Sequence, residues 1–285
     1  RIIPFAIAIG IWFLPIPAGL TVQSWHLFAI FVATIACVLI NSFPLLTASV
    51  IAVAAVVLTQ TITPAQAFSG FANASVLLVV VAFIVAQGVV KSGLGRRISL
   101  LIVSRFGGSP IGLAYSLVFT DAMIAPSFPS ITARGGVLFP IVLSIDKGAG
   151  SEPDSPEGRR LGGYLMFCSM ASLAVSSALW LTATSCNPIG VQIAEKAGFE
   201  INFGSWFVHS SVPTLSAILV LPWLVSKLFS PGVGKTPEAP IAARKDLSEM
   251  GGMSRNEWIT AVTFVGMVIG WVFGSSLNLN GTAVA

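Results

Sequence analysis

From Ile2 to Val90 the chain carries no Asp, Glu, Lys or Arg. A surface facing water cannot be built from such a stretch, whereas the interior of a bilayer selects for it. Across all 285 residues, charged side chains make up 9%, against roughly 25% in soluble domains. The fold class that follows is all-α: a polytopic membrane protein of apolar helices. The formal charge of +4 fits loops facing an anionic leaflet of the lipid bilayer and does not imply nucleic-acid binding.

A spanning helix needs about 20 apolar residues, fewer when it is broken. Candidates cover 3–17, 24–43, 46–62 and 71–90. Residues 91–108, "KSGLGRRISLLIVSRFGG", alternate apolar residues with Arg96, Arg97 and Arg105. They predict an amphipathic helix lying on the membrane surface. Two apolar arms follow at 109–146, then a polar loop at 147–161. A long apolar region at 162–200 is interrupted at "TATSCNPIG", 182–190. A further span covers 205–229, a Pro- and charge-rich solvent loop 230–256, and a last span begins at 257 and runs toward 285.

Charge distribution sets the expected topology. If the N-terminus is cytoplasmic and 109–146 enters and leaves from one side, 13 of the 15 basic residues face the cytoplasm. The positive-inside rule favours this arrangement. The segment then forms a re-entrant hairpin with its tip at "APSFPSITARGG", 125–136. Irregular backbone survives at such depth only when protein or a water-filled cavity covers it.

Asp121 and Arg134 are the only charges between Arg105 and Asp146, and they lie symmetrically about the tip. Two readings stand: an internal ion pair joining the arms, or an Arg134 that attracts an anion. Pro126 and Pro129 interrupt helical hydrogen bonding. Ser130 and Thr132 open the returning arm, where free N–H groups and a positive dipole end suit a carboxylate; helix capping would use the same residues. In the second interruption, Thr182, Thr184, Ser185 and Asn187 precede Pro188 and Gly190, which are expected to unwind the helix. An isolated Ser or Thr in a membrane helix bonds its own backbone. Four polar residues with Pro and Gly in nine positions instead predict a discontinuous helix of the kind that builds transporter sites.

No P-loop, HExxH, GxSxG or intramembrane carboxylate pair is present, so neither an ATP-driven pump nor an enzyme is expected. Cys37, Cys168 and Cys186 sit in apolar segments as packing residues, and His26 and His209 stand alone, so no metal site is expected. Trp12, Trp25, Trp180, Trp206 and Trp258 read as interfacial or packing residues. No signal peptide is evident, and a piece upstream of Arg1 is expected.

The segments "DAMIAPSFPSITARGGVLFP", "GLGRRISL", "GRRLGGYLM", the break at 182–190, and "TPEAP" before the "NEW" span resemble the divalent-anion/sodium symporter superfamily. The likeness runs over essentially the whole chain. It is greatest to the family's bacterial citrate/succinate and tartrate/succinate antiporters and plastid 2-oxoglutarate/malate translocators. The resemblance implies a homodimer working as an elevator. Residues 1–90 would then belong to a scaffold, and the hairpin and broken helix to a moving transport domain. It implies a chain covering about the first inverted repeat and the start of the second, so half of a binding site.

The family's Ser-Asn-Thr hairpin motif maps onto Ser130, Ile131 and Thr132, and its unwound loop onto Ala183, Thr184, Ser185 and Asn187. Ser130, Thr132, Arg134, Thr184, Ser185 and Asn187 are the implied substrate contacts. Ser130 with the backbones of Ile131 and Ala183 is the implied cation site, with Na⁺ as a coupling ion and no other cofactor. Ile131 departs from the motif: an aliphatic side chain offers no oxygen to Na⁺, which leans the reading toward exchange of small di- or tricarboxylates. Sodium-coupled dicarboxylate or sulfate symport and an anion channel remain the alternatives. The expected location is the bacterial inner membrane, with a plastid inner envelope as the second choice.

Overall fold

A computed structural model of the chain describes residues 2–148 and 156–274. The described residues form helices and their connections, arranged in two compact units, Arg1–Asn73 and Ala74–Ala285.

The first unit holds α1 (Ile3–Trp12), α2 (Val22–Leu39), α3 (Leu45–Leu58) and a short α4 (Pro64–Ala67). Each start has a local cause. Pro4 sits in the first turn of α1, where its missing N–H is harmless. The Thr21 hydroxyl accepts from the Ser24 amide to cap α2, and Thr63 with Gln66 forms a capping box for α4. The Trp25 indole donates to the Ile11 carbonyl at 2.9 Å, and the Trp12 and His26 rings stack at 3.7 Å. Leu39 and Leu58 are 80% and 82% exposed, as residues facing lipid or further protein would be.

The second unit begins with α5 (Ala74–Ser92), which turns by 61° into α6 (Leu94–Phe106). The turn rests on Gly93, whose φ of +80° is left-handed and favours glycine. The apolar face of α6 is directed at protein: Leu100 and Val103 join the main core with Leu113, Leu117 and Leu165. Leu101 and Phe106 of the same helix are exposed.

α7 (Pro110–Ile124) and α8 (Ile131–Gly148) are the arms of the expected hairpin. Ser109 caps α7 through the Gly112 amide. At about 1.5 Å per residue, 15 residues reach about 22 Å, short of the ~30 Å hydrocarbon core. Both arms pack on α9 (Pro156–Ser176). α10 (Cys186–Lys196) follows a break, and a left-handed Gly198 leads into α11 (Phe203–Leu228). Of the loop expected at 147–161, residues 149–155 lie outside the described residues, as do 275–285, and its two ends belong to α8 and α9.

The segment 230–256, expected to be a solvent loop, contains α12 (Glu238–Met250), which lies along α6. Ala239, Ala243, Leu247 and Met250 form its core-facing stripe, hidden in the sequence among charges. α13 (Arg255–Phe273) starts at a capping box made by Ser254 and Glu257. α2, α11 and α13 are each long and apolar enough to cross a membrane, and α5 with α6 counts as a bent pair. The chain is integral to a membrane.

Candidate functional site

The hairpin tip and the broken helix meet. After α7 the backbone makes a 3₁₀ turn, Ala125–Ser127, and passes Phe128 and Pro129 before α8 begins. After α9 it makes a second 3₁₀ turn, Leu181–Ala183, before α10 begins. Two hydrogen bonds join these turns. The Thr182 hydroxyl donates to the Pro126 carbonyl at 2.8 Å, and the Ser185 amide donates to the Pro129 carbonyl at 2.9 Å. Two helix N-termini, those of α8 and α10, therefore lie side by side. Each presents amides without an intrahelical acceptor and the positive end of a dipole.

The predicted residues separate into three groups. Ser130 and Thr132 stand at the open start of α8; Ser130 is part-buried and Thr132 exposed. Ser130 also caps the helix, accepting from the Ala133 amide at 3.3 Å. Ile131 between them is 39% exposed. Thr184 and Ser185 are part-buried at the start of α10. Asn187 turns back on its own chain: its amide donates to the Ser177 carbonyl at 2.8 Å and the Trp180 carbonyl at 3.1 Å. The Ser177 carbonyl lies just past the end of α9, where helical donors run out, and the Trp180 carbonyl is shared with the Ala183 amide. Ala183 is fully buried, and its amide donates to the Trp180 carbonyl.

Arg134 forms the third group, together with Asp121. Both side chains are 0% exposed and approach to 3.6 Å. Each is anchored to α9. Arg134 donates to Ser176 at 3.0 Å, to Ser177, and to the Leu173 carbonyl at 2.8 Å. Ser172 and Ser176 donate to Asp121 Oδ2 at 2.8 and 2.6 Å. The ion-pair reading of these two residues matches this geometry. A buried pair needs additional hydrogen bonds to its remaining atoms; the serines supply them to Asp121 Oδ2 and to the Arg134 Nη atoms, while Asp121 Oδ1 and Arg134 Nε are buried without a hydrogen bond.

These serines were not singled out from the sequence. Ser172 and Ser176 are one helical turn apart, so they share a face, and that spacing was the available signal. Trp180 and Trp206 are packing residues with anchored indoles, donating to the carbonyls of Ala122 and Ala178. Cys186 departs from the expectation of a packed thiol: it is exposed at the first turn of α10, whereas Cys37 and Cys168 are buried.

Fold and site together define a helical membrane protein with a hairpin tip docked on a broken helix, presenting hydroxyls at paired helix N-termini. The family model "Sodium:sulfate symporter transmembrane region" matches residues 1–285, and the chain belongs to that family. It is 37% identical to the putative malate transporter YflS of Bacillus subtilis, covering all of this chain and 60% of that protein. It is 38% identical to the chloroplastic dicarboxylate transporter 1 of Arabidopsis thaliana, over 98% of this chain and 51% of that protein. It is 36% identical to the citrate/succinate antiporter of Escherichia coli K12, over 98% and 61% respectively. The chain thus spans about half to three fifths of the length of these relatives.

Proposed function

We propose that the chain forms one half of the substrate site of a secondary transporter for di- or tricarboxylates such as malate, 2-oxoglutarate, succinate or citrate, working as an exchanger. The observation that carries this reading is the juxtaposition of the α8 and α10 N-termini through the Ser185–Pro129 hydrogen bond. Unpaired amides and dipole ends at one place favour a carboxylate. Ser130, Thr132, Thr184 and Ser185 supply hydroxyl donors around it. Asn187 and Arg134 serve a different purpose in this reading: Asn187 holds the break, and Arg134 with Asp121 holds the arms. The names of the relatives fit carboxylates as cargo.

Ile131 supports exchange over sodium coupling, because its side chain has no oxygen to offer a hard cation. One observation favours the alternative of sodium-coupled symport. The Ser127 hydroxyl is buried at the tip and has no hydrogen-bond partner, which leaves an oxygen for a cation beside the carbonyls of the turn. The proposal extends to a homodimer moving as an elevator in the bacterial inner membrane, with a cytoplasmic N-terminus.

The test is counterflow with the complete protein in proteoliposomes. Internal unlabelled dicarboxylate should accelerate uptake of labelled dicarboxylate without a sodium gradient. Uptake that requires external sodium and ignores internal substrate would replace exchange with symport. Single-channel currents in a planar bilayer would replace both with a channel.

A further inference from the structure

A cleft of about 440 Å³ lies between α5, α6 and α8, apart from the hairpin tip. Its body is apolar, walled by Val89, Leu100, Val137 and Ile141. Its mouth is polar: Arg96, at the first turn of α6, has a side chain 57% exposed, and Ser144 stands on the α8 side.

Two residues of α8 keep the cleft open and give it a further polar group. Gly136 is exposed and lacks a side chain, and a Cβ built there would meet nothing within 4 Å. Pro140, one turn later, has no N–H, so the Gly136 carbonyl loses its helical donor. Glycine and proline both weaken a helix interior, and here both border the same space.

The cleft sits where an apolar helix turns by 61° into a helix rich in arginine. In a membrane-integral chain, that is the level at which hydrocarbon gives way to headgroups. An occupant with an aliphatic tail, an anionic group near Arg96 and a hydroxyl donor for the freed carbonyl would match every wall. We propose that the cleft binds one anionic phospholipid of the phosphatidylglycerol type. An acyl chain lies between α5 and α8, the phosphate faces Arg96, and the headgroup glycerol reaches the Gly136 carbonyl. Asp246 of α12, 2.9 Å from Arg96, competes with the phosphate for the guanidinium and tunes the affinity.

The test is native mass spectrometry of the purified complete protein in mild detergent, titrated with phosphatidylglycerol or phosphatidylcholine. The wild type should retain phosphatidylglycerol about fivefold better, the size expected for one basic residue at a charged surface. Arg96→Gln should abolish that preference. Asp246→Asn, which also breaks the Arg96–Asp246 pair, should preserve or raise it. Gly136→Leu, placed in open space on a helix, should fold normally and lose retention of both lipids. Equal retention of the two lipids by the wild type would overturn the proposal. So would wild-type retention by Gly136→Leu, which would show that the cleft holds no lipid. Matching losses in Arg96→Gln and Asp246→Asn would also overturn it, by showing that the ion pair alone matters.

Discussion

Asp121 on one arm of the hairpin and Arg134 on the other share a single serine of α9. Ser176 accepts from Arg134 at 3.0 Å and donates to Asp121 Oδ2 at 2.6 Å. The hydroxyl links the two charges where their direct approach is 3.6 Å. The hairpin is thereby tied to the same helix whose broken continuation meets its tip.

Removing one member of this pair leaves the other buried and uncompensated. Asp121→Asn and Arg134→Gln should each destabilise the protein by about 3–5 kcal/mol, measured by thermal unfolding in detergent. The double variant should fall well short of the sum of the two. If Arg134→Gln instead folds with wild-type stability and only weakens substrate affinity, Arg134 is a substrate contact.

Ser130→Ala and Thr132→Val should weaken transport with wild-type expression; Thr132→Val should melt like the wild type, and Ser130→Ala, which also loses its cap on the Ala133 amide, slightly lower. Each lost hydrogen bond is worth about 0.5–1.5 kcal/mol, so the affinity for dicarboxylate should fall about two- to tenfold. Radiolabelled uptake at varied substrate concentration reads the change. A loss of melting temperature matching the loss of uptake would assign Ser130 to capping alone.

Asn187 and Thr182 make a contrasting pair of substitutions. Asn187→Ala would leave the Ser177 carbonyl without its donor, the Trp180 carbonyl keeping the Ala183 amide, and Thr182→Val would free the Pro126 carbonyl. Each unsatisfied buried group costs about 1–3 kcal/mol. Both variants should therefore lower the melting temperature, unlike Thr132→Val. An Asn187→Ala protein that melts normally and fails to bind substrate would return Asn187 to the binding residues.

The helical membrane class and the two interruptions were legible in the sequence because lack of charge, the tip prolines and clustered hydroxyls are local signals, although Pro188 and Gly190 lie inside α10 and the second break falls just before it. The partnership of tip and break was not, since the Thr182–Pro126 bond joins residues 56 positions apart. The same holds for α12, whose stripe of Ala239, Ala243, Leu247 and Met250 relies on small residues that hydropathy hardly weights. Asn187 shows a different limit: composition marked it as polar at a break, but only geometry shows that its amide is already engaged by carbonyls. Arg97 is a fourth case, read as one of three basic residues on an amphipathic helix, whereas two of the three have specific carboxylate partners.

Arg97 joins α6 to the start of α13. Its Nε and Nη2 meet the two Glu257 oxygens at 2.6 and 3.2 Å, and its remaining donors reach the Gly251 and Gly252 carbonyls. Glu257 in turn accepts from the Ser254 amide at 2.8 Å. The planar fork of a guanidinium matches this set of acceptors, and an ammonium does not. Arg97→Lys should therefore destabilise nearly as much as Arg97→Gln, by about 2–4 kcal/mol. In a double-mutant cycle with Glu257→Gln, the coupling should exceed about 1 kcal/mol, read from thermal melting in detergent. A Lys variant as stable as the wild type would show that charge alone, without the fork geometry, holds α13 to α6.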